Sequence, residues 1–151
     1  MKPIVVLALT LCAAAAGVPA DRKGIEVDSA FPGGNIIVDS IQGDTINVHQ
    51  DLRDTVGEWF YYYFRVRGAA GRSITVNFTQ RNPLTALGPA VSRDCGATWK
   101  WLGADNVRKP TFCFAVPKNA REVRFCLAMP YMEANLKAFR AGREAARGAA
   151  R

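Results

Sequence analysis

Apolar residues recur at every second position along much of this sequence, the period of half-buried strands and not of helices. Two Ile- and Val-rich runs, 35–41 and 44–50, meet at Gly43-Asp44 and follow Pro32-Gly33-Gly34, which predicts a β-hairpin. The aromatic and β-branched run 59–67 is broken by Gly68-Ala69-Ala70-Gly71 before 73–79, which predicts a second hairpin. Its register sets Val66 against Ile74, Phe64 against Val76 and Tyr62 against Phe78, so that all six face the core. The opposite face then carries Trp59, Tyr61, Tyr63 and Arg65 beside Thr75, Asn77 and Thr79. A row of large rings on a solitary protein calls either for a covering loop or domain or for a ligand.

Further along, alternation places Trp99 and Trp101 on one face of a short strand that ends at Gly103. Segments 111–116 and 122–129 predict a third hairpin across 117–121, with Phe112 opposite Leu127, Phe114 opposite Phe125 and Val116 opposite Val123. That register also opposes Cys113 and Cys126 on the other face, where directly paired Cα atoms lie about 4.5–5.5 Å apart, within disulfide reach. A Cys113–Cys126 bridge is therefore expected, the alternative being two buried free thiols. After Pro130-Tyr131 the period changes, and Met132, Leu136 and Phe139 predict a short helix over 132–139. Arg140, Arg143, Arg147 and Arg151 follow with Gly142 and Gly148 between them, which reads as a fraying basic tail or linker over the rest of 132–151. The expected fold class is thus all-β, an antiparallel sandwich of jelly-roll type over 21–131 with a short C-terminal helix.

Composition changes this picture at the N-terminus. Lys2, the apolar run 4–16 and Val18-Pro19-Ala20 have the three zones of a secretory signal, with cleavage expected after Ala20 and export to the periplasm or medium. The whole chain of 151 residues carries a formal net charge of +7. Loss of residues 1–20 leaves 19 basic against 13 acidic residues, a net +6. Acidic residues alternate with the arginines through most of the chain, so nucleic acid is not an expected partner. Cys95, Cys113 and Cys126 remain after processing, and His49 is the single histidine, which leaves no zinc-ligand spacing. No apolar stretch beyond the first sixteen residues is long enough to cross a bilayer.

Taken in order, Phe31-Pro32-Gly33-Gly34-Asn35, Trp59-Phe60-Tyr61, Phe64-Arg65-Val66-Arg67-Gly68, Gly88-Pro89-Ala90-Val91-Ser92, Trp99-Lys100-Trp101-Leu102-Gly103 and Pro130-Tyr131 form a recognisable set. The set resembles the N-terminal domain of M14-type zinc carboxypeptidases of the cytosolic-carboxypeptidase-like branch, in their bacterial form. The resemblance implies a β-sandwich preceding a peptidase domain whose zinc is held by two histidines and a glutamate. Gln50-Asp51-Leu52 after His49 departs from the family's His-x-x-Glu, so no catalytic or zinc residue transfers and no cofactor is expected in this chain. Pro130 and Tyr131 match the junction with the peptidase domain. Two functions follow as expectations. One is a non-catalytic accessory domain partnered by a peptidase domain in cis or in trans. The other is a free-standing exported module that binds glycan or peptide, with Trp59, Tyr61, Tyr63, Arg65, Asn77, Trp99 and Trp101 as the candidate surface.

Overall fold

The computed structural model describes residues 24–53, 55–57 and 60–149. The expected signal and Trp59 lie outside the described residues. Ten strands form two five-stranded sheets, the all-β sandwich that the period-two pattern predicts. The first sheet has the order β1 (Glu26–Asp28), β4 (Tyr63–Arg67), β10 (Glu122–Cys126), β6 (Ala90–Ser92), β7 (Lys100–Trp101). The second has the order β2 (Ile37–Gln42), β3 (Thr45–His49), β5 (Ser73–Phe78), β9 (Thr111–Ala115), β8 (Val107–Arg108). Pairing is antiparallel except between β3 and β5, whose parallel register matches Thr45 with Thr75 and Asn47 with Asn77.

The first hairpin forms as expected, β2 pairing with β3 across Gly43-Asp44, with a shift of register between Val38 and Ser40. The second and third hairpins do not. Strands β4 and β5 lie in different sheets, as do β9 and β10, so each glycine- or proline-rich connection is an arch over the edge of the sandwich. The two arches lie side by side, since Gly71 N donates to the Val116 carbonyl and Val116 N to that of Arg72. Val66 pairs instead with Val27 and Val123, and Ile74 with Phe114. The inward parity nevertheless holds: Tyr62, Phe64, Val66, Ile74, Val76, Phe78, Phe112, Phe114, Val116, Val123 and Phe125 are all buried. Two pairs expected as cross-strand neighbours meet instead across the core between the sheets, Tyr62 tilted against Phe78 at 4.9 Å between ring centroids and Phe114 edge-on to Phe125 at 5.4 Å.

This topology removes the expected disulfide. Cys113 lies exposed on the outer face of the second sheet, its sulfur 3.7 Å from the Thr75 hydroxyl, whereas Cys126 is buried on the outer side of the first. The core between them excludes a bridge, and Cys95, Cys113 and Cys126 are free thiols.

The C-terminal helix is longer than the spacing predicts. Helix α1 runs Glu133–Ala149, through Gly142 and Gly148, where a fraying tail was expected. Six alanines favour it. The Asn135 side chain accepts from Met132 N at 2.8 Å and caps the first turn, and Lys137 pairs with Glu133 one turn apart. Leu136 and Phe139 are exposed, so α1 contributes little to the core. Among the described residues no helix is long and apolar enough to cross a membrane.

Candidate functional site

Chain direction in β4 sends Phe64 and Val66 into the core and leaves Tyr63, Arg65 and Arg67 on the outer face of the first sheet. On the neighbouring β10, Arg124 and Cys126 point the same way, because Arg124 pairs with Arg65 and Cys126 with Tyr63. Phe31, from the loop after β1, is laid over this surface. Its ring meets the Tyr63 ring edge-on at 4.7 Å and lies within 5.3 Å of the Arg65 guanidinium and 5.0 Å of that of Arg124. Two carboxylates balance these cations. Asp28 accepts from Arg65 Nε at 2.9 Å and from an Arg67 terminal nitrogen at 2.8 Å, and Glu122 accepts from Arg124 Nε at 2.6 Å. Burial by itself would raise the Asp28 carboxyl, but the hydrogen bonds from Arg65 and Ala30 N–H, with the charges of Arg65 and Arg67, hold it below its ordinary value.

The turn Pro32-Gly33-Gly34-Asn35 anchors one end of this face. Gly33 has φ 79°, a left-handed conformation that favours glycine, and a Cβ on Gly34 would stand 2.0 Å from the Ser29 carbonyl oxygen. Asn35 is 2% exposed and grips the Asp51 backbone twice, donating from Nδ2 to its carbonyl and accepting its N–H, both at 2.9 Å. Tyr61 donates its hydroxyl to the Gly33 carbonyl at 2.8 Å. Burial, and then the neighbouring Cys126 thiol, push the Tyr61 hydroxyl above its ordinary value; burial also raises Cys126.

The structure divides the surface expected from sequence. Tyr61, Tyr63, Arg65 and Trp99 come together on the first sheet, with the Trp99 ring edge-on to Tyr63 at 5.6 Å. Tyr63 is only 3% exposed, so the cover that such a row of rings demands is supplied from within, by Phe31 and Trp99. Trp101 stands at the sheet edge, 39% exposed. Asn77 belongs elsewhere: it lies on the outer face of the second sheet, hydrogen-bonded to Asn47 and Thr111, because β5 crosses the sandwich instead of turning back on β4. Sequence reasoning missed Phe31, which sits in a turn without periodicity. It also missed Arg124, although its alternation with Val123 and Phe125 marked an outward position.

Just before α1 in the chain, Met129 and Tyr131 are large apolar residues left exposed, Tyr131 at 68%, and Phe60, the chain neighbour of Tyr61, is exposed as well. Met132 reaches back toward Gly33, whose added Cβ would meet its methyl carbon at 2.8 Å. The expected junction Pro130-Tyr131 thus lies close to the glycine turn.

The donor set does not fit a zinc ion. Among the described residues no group of three or more His, Cys, Asp or Glu is placed to hold a metal. His49 contacts Asp39 at 2.8 Å on the outer face of the second sheet, and a catalytic zinc needs about three protein ligands.

This arrangement has counterparts among solved structures. A metallo-carboxypeptidase from Burkholderia cenocepacia superposes with a TM-score of 0.61 at 20% identity, over 79% of this chain and 33% of that one. The sandwich has the fold of part of a bacterial metallo-carboxypeptidase. A second such enzyme, from Pseudomonas aeruginosa in complex with (2-guanidinoethylmercapto)succinic acid, matches with a TM-score of 0.55 at 20% identity, over 75% of this chain and 32% of that one. The chain therefore spans about a third of the length of the carboxypeptidase structures it matches. No family model and no curated protein matches the sequence.

Proposed function

We propose that this chain is a non-catalytic accessory sandwich of an M14-type metallocarboxypeptidase of the cytosolic-carboxypeptidase-like branch. In this reading it docks on a peptidase domain, in the same chain or another, and helps to shape that domain's substrate entrance. The zinc chemistry belongs to the peptidase domain. The observation that carries the reading is the superposition of the sandwich on one third of each matched carboxypeptidase. Met129 and Tyr131, exposed at the family-like Pro130-Tyr131 junction, with exposed Phe60 next in the chain to the Tyr61 that bonds Gly33, support docking at that end of the first sheet. The anchored Gly33–Asn35 turn keeps that end rigid. Export after cleavage near Ala20 belongs to the same reading, and N-terminal sequencing of the protein recovered from the cell envelope checks it.

The test has two arms. Purified chain is assayed for bound zinc and for release of C-terminal residues from peptides; stoichiometric zinc with turnover by this chain alone overturns the proposal. The chain is also mixed with a metallo-carboxypeptidase peptidase domain from the same organism and followed by size-exclusion chromatography and peptide hydrolysis. Co-elution with a change in kcat/KM is expected. Phe60→Ser with Tyr131→Ser is expected to weaken it roughly tenfold, the loss of one or two buried aromatic anchors.

A further inference from the structure

We infer that the open edge of the sandwich carries a binding cleft for a carboxylate-bearing sugar. The sheets part between β7 of the first and β9 of the second, leaving an open cleft of about 520 Å³. That volume falls in the range of small-ligand sites. Pairing fixes how the edge strand contributes. Lys100 lies opposite Val91, whose side chain faces the core, and Trp101 opposite Ala90, so the two alternate across the short edge strand. Strand β7 is only two residues long at the end of the sheet, and both residues line the cleft there. Trp99, which also lines the cleft, is held in place by its Nε1 donating to the Gly96 carbonyl at 3.0 Å.

Charge selects the ligand. Among the described residues that line the cleft, Arg93 and Lys100 are charged and none is acidic. Neither cation forms an ion pair among the described residues, and the adjoining Asp94 carboxylate is taken up by the Thr98 and Ser92 donors. This contrasts with the outer face of the first sheet, where Asp28 and Glu122 neutralise Arg65, Arg67 and Arg124. Arg93 is steadied over the Phe114 ring at 5.3 Å with its guanidinium hydrogens still available. Arg93, held by its ring contact, and the exposed Lys100 beside it on the cleft favour a carboxylate. The partly exposed Trp101 ring offers a flat apolar platform for the face of a pyranose, and the Asn106 amide lines the same cleft within reach of hydroxyl chemistry.

A sugar is favoured over a peptide by the state of the strand edges. A bound peptide strand draws its affinity from main-chain hydrogen bonds along an exposed edge. Both edge strands here, β7 and β8, are two residues long, and the next N–H groups after β7 are already spent, Leu102 on Pro89 and Gly103 on Leu87. The cleft offers side-chain chemistry and little backbone template. It is independent of the docking end marked by Tyr131, so the two proposals fail separately.

The test is calorimetric titration of the full chain with a uronic-acid trisaccharide, its neutral trisaccharide counterpart, and a short peptide with a free or amidated C-terminus. Saturable binding of the uronate with a dissociation constant of about 1 mM or below is expected, with the neutral sugar at least roughly tenfold weaker, the contribution of one charge-assisted contact. Lys100→Glu, at an exposed position, is expected to abolish the preference for the acidic sugar, and Trp101→Ala to weaken both sugars; unchanged thermal unfolding shows that each variant is folded. Absence of saturable uronate binding, equal affinity for the neutral sugar, tighter binding of the free-carboxylate peptide, or an unaltered preference in folded Lys100→Glu overturns the proposal.

Discussion

Asp94 shows how much a single side chain can organise. Its carboxylate accepts from the Thr98 hydroxyl at 2.6 Å, from Thr98 N at 2.9 Å and from the Ser92 hydroxyl at 2.8 Å, closing the loop between β6 and β7. The Thr98 hydroxyl, with these other donors, holds the carboxyl at about 2 against an ordinary value of 3.8. A carboxyl depressed in the folded state stabilises above its unfolded value, and that contribution disappears as pH falls through its folded value. Asp94→Asn is therefore expected to flatten the loss of stability between pH 3.8 and about 2 and to leave its shape at neutral pH unchanged, read by thermal melts across that window. Some residue-scale facts were legible beforehand: the inward parity of Phe64, Val66, Ile74 and Val76 followed from alternation alone. The need for glycine at position 34 was not, because it arises from the Ser29 carbonyl, which only the folded turn brings within 2.0 Å of an added Cβ.

Strands in this protein are short, and their stability comes from the layer they face more than from their own length. Phe125 on β10 illustrates this, with its ring in contact with Phe64 at 5.4 Å, Phe112 at 5.0 Å and Phe114 at 5.4 Å between centroids. One ring thus ties its own sheet to the opposite one. Phe125→Ala is expected to cost about 3–5 kcal/mol through the cavity it leaves. Phe125→Leu keeps more of the volume and is expected to cost about 1–2 kcal/mol, both measured by urea unfolding. The same strand shows why two hairpins were misread. Apolar parity states which side chains share a buried layer, and it is satisfied equally by strands lying side by side and by strands facing each other. The connections after β4 and β9 are short enough for a turn and long enough for an arch. Hydrogen bonding to β1 and β10 on one side, and to β3 and β9 on the other, decides for the arch.

At the scale of the whole molecule, the sandwich and helix α1 are unequal partners. Every helix residue from Glu133 to Gly148 is exposed, and the contact that ties this end to the sheets is made by Met132 at Gly33. A chain ended after Met132 is expected to lose the helical far-ultraviolet signal while its melting midpoint moves by no more than about 2 °C, within the shift expected for under 1 kcal/mol. A large drop in the midpoint would show that α1 stabilises the sheets.

Alternating side chains were enough to determine the all-β class, the first hairpin, the buried set and the location of turns, because these follow from local period and backbone preference. Tertiary structure alone decided the pairing of β3 with β5, the separation of Cys113 from Cys126 and the division of Asn77 from Tyr61, Tyr63 and Arg65. It also decided the opening of a cleft beside Trp101. Each of these depends on which segments distant in the chain lie next to one another, and strand period carries no information about the neighbour across a sheet or across the core.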